Sequence, residues 1–328
     1  MQHKQIAGYL YAYFSGDESR ADSQQIRFAM SRDGLHWLEL NGGEPILESH
    51  INDCGVRDPF LIRLQHGGFA LIGTDLNTNA PAYADANGAP QWRRMETHGR
   101  TDILVWKSDD LVHWNGPRTL PVARDLNAGN AWAPKAVFVP ERGQYLITWS
   151  STTAADNYAK QRIYGCWTTD FTSCSPAFLL IDDAHSRIDT LIAPHNGRWL
   201  LIVKDEVDKR IDVKTADHLF DEDANAPETS ALSREFTVVP QRALAEMTWV
   251  EGPALVHRAD GSTILFVDEY ARSKRGYIPL ISNDPTRADS FRALDAAEYE
   301  MPRFARHGSL LPITEEEWGA LASAYVRA

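Results

Sequence analysis

Three acidic residues stand at the start of apolar runs in this chain. They are Asp58 in Val-Arg-Asp-Pro-Phe-Leu-Ile, Asp189 in Arg-Ile-Asp-Thr-Leu-Ile and Glu251 in Val-Glu-Gly-Pro-Ala-Leu-Val. Short apolar runs of this kind are typical of buried β-strands, so each carboxyl group is predicted at a strand start. If those strands converge on one axis, the carboxyl groups meet in one pocket. Two or three convergent carboxyl groups can supply the acid and the base that hydrolysis of a glycosidic bond requires.

A repeat of paired strands would position these residues. Apolar or aromatic runs each accompany a partner strand, and the partners begin at Asp58, Trp132, Asp189, Glu251 and His307. The tripeptide Ser/Thr-x-Asp also recurs and predicts tight turns in which the Asp side chain accepts hydrogen bonds from backbone amides. Repeats of roughly 45 to 80 residues fit four-stranded propeller blades with loop insertions. The sequence therefore predicts an all-β fold, a five-bladed β-propeller, with a β-sandwich that has coincidental turns as the alternative.

The two ends of the chain are predicted to share the fifth blade. No second strand follows His307 before a terminal helix predicted over 315–326, and the strand at 8–14 has no partner before it. Pairing the two would complete a blade built from residues 306–314 and 8–45 and would cover two sheet edges. We therefore predict a single domain over residues 1–328, closed by pairing of the N- and C-terminal strands.

Composition narrows the range of partners. The 328 residues carry a formal net charge of −12, which argues against a nucleic acid or an anionic membrane surface, because both attract clustered Lys and Arg. Cys54, Cys166 and Cys174 form no CxxC motif and are predicted to be free thiols. No segment is long enough to span a bilayer, and the start of the chain lacks a signal-peptide apolar region. We expect a cytoplasmic protein.

The ordered motifs resemble those of glycoside hydrolase family 43. The similarity rests on Asp58 in Arg-Asp-Pro, Trp132 in Trp-Ala-Pro, Asp189 in Ile-Asp-Thr-Leu-Ile and Glu251 in Glu-Gly-Pro, and it extends over essentially the whole chain. The resemblance implies an inverting hydrolase in which Asp58 is the general base and Glu251 is the general acid. It implies that Asp189 orients the substrate and keeps the pKa of the acid high.

Each of these acids also has a structural alternative. Asp58 would then cap a turn, Asp189 would hydrogen-bond at a strand start, and Glu251 would pair with an Arg. A rival placement puts the base among the first fifty residues, where Asp17 is the nearest candidate.

Further residues are predicted around the same funnel. Trp132 either stacks on the sugar or fills the core, and Trp249 is expected to pack. Asp75, at the end of the second strand of its blade, is predicted to reach the pocket rim, and Arg275, in an Arg-rich loop, either contacts substrate or is solvated. His307 resembles the axial histidine that in relatives binds water or a calcium ion. No cofactor is expected to be required, and His307 is the candidate ligand for a structural calcium ion.

The resemblance implies plant-polysaccharide fragments carrying pentoses as substrates. We expect an exo-acting α-L-arabinofuranosidase that acts on plant cell-wall oligosaccharides, with β-xylosidase and exo-β-galactosidase as alternatives that would use the same acids. The segment 76–100 is predicted to rise over the funnel rim and to set specificity. A retaining fructan or sucrose hydrolase is disfavoured, since no Asn-Asp-Pro motif precedes Asp58. A non-catalytic sugar-binding propeller is favoured only by Lys135, which follows Trp-Ala-Pro where many family members have Asp.

Overall fold

A computed structural model describes residues 5–17, 19–221, 232–271 and 276–326, and these residues form mostly β-strands. The strands are β1 (Gly8–Ser15), β2 (Arg27–Ser31), β3 (Leu38–Glu39), β4 (Val56–Arg63), β5 (Phe69–Asp75), β6 (Ile103–Ser108), β7 (Trp114–Leu120), β8 (Trp132–Val139), β9 (Gln144–Ser151), β10 (Arg162–Thr168), β11 (Phe178–Ile181), β12 (Arg187–His195), β13 (Arg198–Asp205), β14 (Arg210–Ala216), β15 (Thr237–Val238), β16 (Val250–His257), β17 (Thr263–Glu269), β18 (Gly276–Ser282), β19 (Arg292–Ala293) and β20 (Ala305–Ile313). The α-helices are α1 (Trp92–His98), α2 (Arg242–Ala245) and α3 (Glu315–Tyr325), and short 3₁₀ turns cover Asn41–Gly43, Pro81–Tyr83 and Ala154–Asp156.

The strands form five antiparallel sheets of four strands each. Blade I is β4 to β7, blade II is β8 to β11, blade III is β12 to β15, blade IV is β16 to β19, and blade V is β20, β1, β2 and β3. The innermost strands, β4, β8, β12, β16 and β20, contact one another in a closed ring. The five-bladed propeller predicted from the sequence is confirmed, and the β-sandwich alternative is wrong.

Blade V joins the two ends of the chain. Strand β1 runs antiparallel to β20, with Gly8 opposite Ile313 and Tyr13 opposite Gly308. The chain then continues outward through β2 and β3. This pairing closes the propeller as predicted and gives both terminal strands a hydrogen-bonded partner, so neither is left as an open sheet edge.

Each sheet buries both of its faces against neighbouring blades. In β1, Leu10 and Ala12 pack with blade I, whereas Tyr9, Tyr11 and Tyr13 pack with blade IV. This alternation follows from the two-residue period of a strand. Comparable apolar clusters lie between blades I and II, II and III, and III and IV. A strand that is covered on both faces has a continuous apolar sequence, and this makes such strands easy to predict from the sequence.

The Ser/Thr-x-Asp turns have the predicted geometry in four of five cases. The Asp carboxylates accept hydrogen bonds from backbone amides two residues ahead in Asp33, Asp110, Asp170 and Asp284. In the remaining turn, Asp217 pairs with Arg198. The hydrogen bond from the His113 side chain and the backbone bonds hold the pKa of Asp110 below its usual range. These turns connect the middle strands to the outer strands of the blades.

The terminal helix α3 has the bounds expected from the sequence, within one residue. Thr314 caps it by accepting a hydrogen bond from the amide of Glu317, and the Glu317 carboxylate accepts one from the amide of Thr314. Within the described ranges, no helix is both long enough and apolar enough to cross a bilayer.

Candidate active site

A β-bulge near the start of four inner strands shapes the centre of the propeller. The register against the next strand shifts in β4, β8, β12 and β16. One residue at each shift has a positive φ: Asp58 at 54°, Ala133 at 50°, Asp189 at 54° and Gly252 at 56°. Bulges interrupt the alternation of a strand and re-aim side chains. Consecutive residues such as Arg57 and Asp58 can therefore both line the channel.

Glu251 lies one residue before the positive-φ position of the bulge in its own strand, β16. Gly252, and not Glu251, stands where Asp58 and Asp189 stand in their blades. A Cβ atom on Gly252 would lie 2.2 Å from Cβ of His307, which real contacts do not permit. The glycine therefore allows both the positive φ and the close approach of His307.

The three predicted acids line one cavity of about 380 Å³ at the centre of the propeller. Its wall is formed by Arg57, Asp58, Leu76, Trp92, Glu96, Trp132, Ala133, Ile188, Asp189, Lys204, Glu206, Lys209, Trp249, Glu251, Tyr270, Arg306 and His307. Residues from all five blades contribute, because each inner strand sends its first residues to the axis. The tertiary structure thus brings together carboxyl groups that are far apart in sequence.

Asp58 is oriented by a hydroxyl group. Thr74 Oγ1 donates a 2.6 Å hydrogen bond to Asp58 Oδ2 and accepts one of 2.8 Å from the amide of Ala133. Because that amide supplies a proton, the hydroxyl's own proton points to Asp58. The other oxygen, Oδ1, lies 3.4 Å from His307 Nε2. Asp58 is thus held as an acceptor with one oxygen directed to the centre of the site.

Glu251 is flanked by two positive charges. Lys204 Nζ lies 2.9 Å from Oε2, and Arg306 Nη2 lies 2.7 Å from Oε1. Burial raises the pKa of Glu251, but the positive charges of Lys204, His307 and Arg306 outweigh burial and hold that pKa well below its usual range. This direction is opposite to the high pKa that the family resemblance implied for the acid. The pKa is low because the cations Lys204 and Arg306 both contact the Glu251 carboxylate.

The raised pKa belongs to Asp189 instead. This residue is only 4% exposed, and its Oδ2 accepts a 2.9 Å hydrogen bond from the amide of Gly252. Burial raises the pKa of Asp189, which the positive charge of His307 offsets only in part. Nearby, Lys135 is buried and donates to the carbonyl oxygen of Pro253. Burial lowers the pKa of Lys135 to about 8, against the opposing effect of Asp189 and Asp58.

His307 lies between the base and the acid predicted from the sequence. Its backbone amide donates to Asp268 Oδ2 at 3.0 Å, and its Nε2 lies 3.5 Å from Glu251 Oε1. Burial lowers the pKa of His307, but Asp58, Glu251 and Asp189 together raise it above the usual value. A protonated imidazole here would donate to the two carboxylates.

The donor set around His307 does not fit a calcium ion. Glu251, Asp268 and His307 bring ligand atoms within 4.8 Å of one another, which is the geometry of a possible metal site. However, Arg306 already pairs with both carboxylates, through Nη2 to Glu251 and Nε to Asp268. Calcium takes six to eight oxygen ligands. The guanidinium group of Arg306 thus already neutralises the two carboxylates of this cluster, which leaves few free oxygen ligands for a calcium ion.

Comparison with known families identifies the family to which this propeller belongs. A family model described as a probable glycosyl hydrolase domain, related to glycoside hydrolase family 43, matches residues 4–319. The chain belongs to this family. An α-L-arabinofuranosidase from Bifidobacterium longum subsp. longum is 23% identical over an alignment of 220 residues. The alignment covers 61% of this chain and 20% of that protein. The chain therefore spans about a fifth of the length of that curated relative.

Solved structures of low sequence identity share the family-43-like fold. A protein of unknown function from Dyadobacter fermentans has a TM-score of 0.55 and 12% identity, with 90% of this chain and 87% of that chain covered. A family-43 protein from Bacillus licheniformis has a TM-score of 0.53 and 13% identity over 93% and 55% of the chains. The α-L-arabinofuranosidase of Podospora anserina, in complex with cellotriose, has a TM-score of 0.52 and 9% identity over 79% and 74%.

Most of the predicted site residues line the central cavity, but not all of them do. Trp132 and His307 line it together with the three acids. Asp75 does not: it is buried, accepts a hydrogen bond from Asn52 Nδ2 at 2.7 Å, and lies outside the cavity. Asp75 is the last residue of β5, and Leu76, which follows the strand, lines the cavity instead. The prediction that Asp75 reaches the pocket rim is wrong, because its carboxylate accepts hydrogen bonds from Asn52 Nδ2 and from the amide of Asp53.

Two other sequence expectations concern Arg275 and Asp17. Arg275 lies outside the described residues. Asp17, the rival candidate for the base, does not line the cavity.

The aromatic rim differs from expectation at Trp249. This residue was expected to pack, but it is 42% exposed, lines the cavity and contacts the ring of Tyr270 edge to face. On another side of the cavity, Trp92 meets Trp132 edge to face with ring centroids 6.2 Å apart. Trp92 comes from α1, inside the segment 76–100. That segment therefore reaches the rim as predicted, and it does so with a short helix.

Several charged residues of the site were not singled out from the sequence. Lys204, Arg306 and Asp268 surround Glu251, and Glu96 from α1 lines the wall. Arg306 precedes His307 in the closing Arg-His-Gly motif, and this motif could have indicated that Arg306 belongs to the site. Lys204 and Asp268 stand near the ends of second strands, and a strand pattern alone does not tell which of those ends reach the axis.

Proposed function

We propose that this chain is an exo-acting α-L-arabinofuranosidase that cleaves plant cell-wall oligosaccharides with inversion. The observation that carries the proposal is the convergence of Asp58, Asp189 and Glu251 on one cavity. Three carboxyl groups at the axis of a propeller whose family consists of probable glycosyl hydrolases support acid–base cleavage of a glycosidic bond.

In this proposal Asp58 is the base and Glu251 is the acid. One oxygen of each lies near the same His307 nitrogen, at 3.4 Å and 3.5 Å, so these two oxygens are at most about 7 Å apart. Inverting enzymes separate their carboxyl groups by about 6.5–9.5 Å, and retaining enzymes by about 5–5.5 Å. A bound of about 7 Å admits either separation, so inversion is proposed from the motif order and not from this distance. Analysis of the anomeric form of the first product by NMR tests this point.

The cavity size favours attack on a chain end. A volume of about 380 Å³ is near the lower limit of ligand pockets, which run from about 300 to 1,000 Å³. Such a pocket suits a terminal sugar better than a long polysaccharide chain. The aromatic side chains of Trp92, Trp132 and Trp249 offer faces on which a sugar ring can stack.

The arabinofuranosidase assignment rests on the curated relative. The matched protein from Bifidobacterium longum subsp. longum is an α-L-arabinofuranosidase, and 61% of this chain aligns with it. The test is hydrolysis of a panel of 4-nitrophenyl glycosides that includes α-L-arabinofuranoside, β-D-xylopyranoside and β-D-galactopyranoside. We expect release from the arabinofuranoside. Preferential release from either of the others would replace this substrate with the β-xylosidase or exo-β-galactosidase assignment.

A second candidate, a non-catalytic sugar-binding propeller, is favoured by one observation. Glu251 is paired with Lys204 and Arg306, and its lowered pKa leaves it without a proton to donate in the resting protein. The glycoside panel separates the two candidates. Binding of oligosaccharides without cleavage, over a pH range that extends to about pH 3, would favour the binding protein.

We also propose that catalysis needs no metal ion, because Arg306 already supplies the positive charge beside Glu251 and Asp268. Activity on the aryl glycoside should persist after dialysis against EDTA. A loss that added calcium restores would show that a metal takes part.

A further inference from the structure

Arg57 differs from the other cations of the cavity wall because its charge is not neutralised by a carboxylate. Lys204 pairs with Glu251 and Glu206, and Arg306 pairs with Glu251 and Asp268. Lys209 pairs with Glu206. Within the part of the chain that the structure describes, Arg57 forms no salt bridge.

The hydrogen bonds of Arg57 are also incomplete. A guanidinium group has five N–H donors, and the described residues accept from only one of them, at 3.5 Å, through Gln24 Oε1. That oxygen already accepts shorter bonds from the amide and the hydroxyl of Thr78, at 2.9 Å and 3.2 Å. Because Arg57 is only partly buried and lines the cavity, its remaining N–H groups are free to bind an acceptor that enters the cavity.

Aromatic contacts fix the plane of this guanidinium. Its Cζ lies 4.4 Å from the ring centroid of Phe14 and 5.9 Å from that of Trp92. Phe14 is fully buried, and its ring also meets His307 edge to face at 5.5 Å. Stacking holds a guanidinium by its face and leaves its edge N–H groups for planar, two-point recognition. The bulge of β4 places these donors beside Asp58.

We propose that Arg57 is a substrate-binding residue that determines specificity, and that its guanidinium donates paired hydrogen bonds to two adjacent hydroxyl oxygens of a neutral sugar. The inference rests on the proposed function for the position of the sugar beside Asp58. The wall has no excess of positive charge, since its acidic side chains are matched in number by its basic ones with His307 included: Asp58, Glu96, Asp189, Glu206 and Glu251 face Arg57, Lys204, Lys209, Arg306 and His307. A neutral diol preserves this balance, whereas a uronate would add a negative charge next to Asp58.

The test combines two variants of Arg57 with a matched control. Arg57→Met removes charge and donors, and Arg57→Lys keeps the charge but loses the two-point geometry. The control is Arg142→Lys, since Arg142 stacks on Trp167 at the same 4.4 Å but lies outside the cavity. Circular dichroism melting of all three variants establishes that each one is folded.

Kinetics with deoxy substrates measure the contact itself. We expect both Arg57 variants to lower kcat/KM on 4-nitrophenyl α-L-arabinofuranoside about 100-fold, as for loss of two hydrogen bonds to a charged group, while Arg142→Lys has no effect. For the parent protein, kcat/KM should be lower on the 2-deoxy or 3-deoxy substrate than on the arabinofuranoside. For Arg57→Met, kcat/KM on that deoxy substrate should be no lower than for the parent protein. If Arg57→Met still discriminates against both deoxy substrates as strongly as the parent does, the proposal is wrong.

A binding measurement keeps the proposal testable if no glycoside is cleaved. Quenching of tryptophan fluorescence reports binding of L-arabinose and of D-galacturonate without turnover. Weaker arabinose binding by Arg57→Met supports the role of Arg57 even if the proposed hydrolase activity fails. Equal affinity in the parent and the variant overturns it. Tighter binding of galacturonate than of arabinose by the parent, lost in Arg57→Met, overturns the assignment of a neutral diol.

Discussion

At Glu251, two cations and a histidine decide the protonation state of the carboxyl group. Lys204 and Arg306 lie within 3 Å of its oxygens, and their charges outweigh the effect of burial on its pKa. Asp189 is more deeply buried, and among the described residues no cation lies at hydrogen-bond distance from it, so its pKa moves upward. Two carboxyl groups of one cavity are thus driven in opposite directions, Asp189 toward its protonated form and Glu251 toward its ionised form.

The role of Glu251 as acid can be tested by leaving-group dependence. Glu251→Gln should lower kcat on arabino-oligosaccharides about 10²–10⁴-fold, because the departing alkoxide then lacks a proton. An aryl glycoside with a 4-nitrophenol leaving group should be affected much less. Steady-state kinetics on both substrates measure the two ratios. Equal losses on both would remove Glu251 from this role.

Asp58→Asn provides the comparison at the other carboxyl group. Activation of water does not depend on the leaving group, so both substrates should lose activity to a similar extent. Activity near that of the parent protein would place the base elsewhere in the cavity.

Lys204→Met should move the pH profile. Loss of this charge raises the pKa of Glu251, so a larger fraction of Glu251 is protonated at a given pH. If Glu251 is the acid, the alkaline limb of kcat/KM shifts to higher pH by about one unit or more. Lys209→Met, which removes a cation that pairs with Glu206 only, should shift it less. An unmoved limb in Lys204→Met would contradict the assignment.

At the scale of elements, the site depends on the bulges near the start of four of the five inner strands. Four of these strands have a positive φ at the equivalent position. Non-glycine residues in this conformation cost roughly 1–2 kcal/mol each, and Asp58, Ala133 and Asp189 all adopt it. Such strain persists where the surrounding structure holds it, often at functional sites.

Gly252→Ala should therefore be strongly destabilising. The added Cβ meets His307 and the positive φ disfavours alanine, so we expect a loss of about 3–5 kcal/mol in the free energy of unfolding. Gly143→Ala is the matched control, since φ is 66° there and nothing lies within 4 Å of the new Cβ; about 1 kcal/mol is expected. Urea unfolding measures both. Similar losses in the two variants would show that the contact with His307 is unimportant.

At the scale of the whole molecule, helix α3, which follows blade V in the chain, packs against blade I. The Glu317 carboxylate pairs with Arg63 of β4 at 2.6 Å, and the Tyr325 hydroxyl donates to the carbonyl oxygen of Val112 at 2.9 Å. Leu321 is fully buried in the cluster shared by the two blades. These contacts lie across the seam where the ends of the chain meet.

Glu317→Gln should weaken this seam by about 2 kcal/mol, because the side chain is 13% exposed and also caps the helix. Glu315→Gln, whose partner is Arg32 and whose side chain is 72% exposed, should cost less than about 0.5 kcal/mol. Thermal unfolding of the two variants makes the comparison. Equal effects would show that the seam does not depend on this pair.

The pH dependence of the Glu317 effect follows from its pKa. Burial raises the pKa of Glu317, but the bonds from Arg63 and Thr314 outweigh burial and lower it. A carboxyl group with a lowered pKa in the folded state stabilises the protein above its unfolded pKa and loses that contribution as the pH falls through the folded value. The difference between the parent protein and Glu317→Gln should therefore shrink as the pH falls through the lowered folded-state pKa of Glu317.

The sequence alone determined the blade count, the closure by β1 and β20, the terminal helix and the three acids at strand starts. These features depend on local chemistry: continuous apolar runs, Asp-capped turns and carboxyl groups beside them. Such signals are present in a few consecutive residues, so the repeat makes them readable without knowledge of the packing.

Only the tertiary structure decided which side chains reach the axis and how they are charged. The bulges change strand alternation, so Arg57 and Asp58 both line the cavity, whereas the Asp75 carboxylate is taken up by Asn52. The ion pairs of Glu251 join residues 47 and 55 positions apart, from different blades. Burial and these pairs together set the pKa directions of Glu251 and Asp189. Both depend on distances across the channel, which no local pattern in the chain specifies.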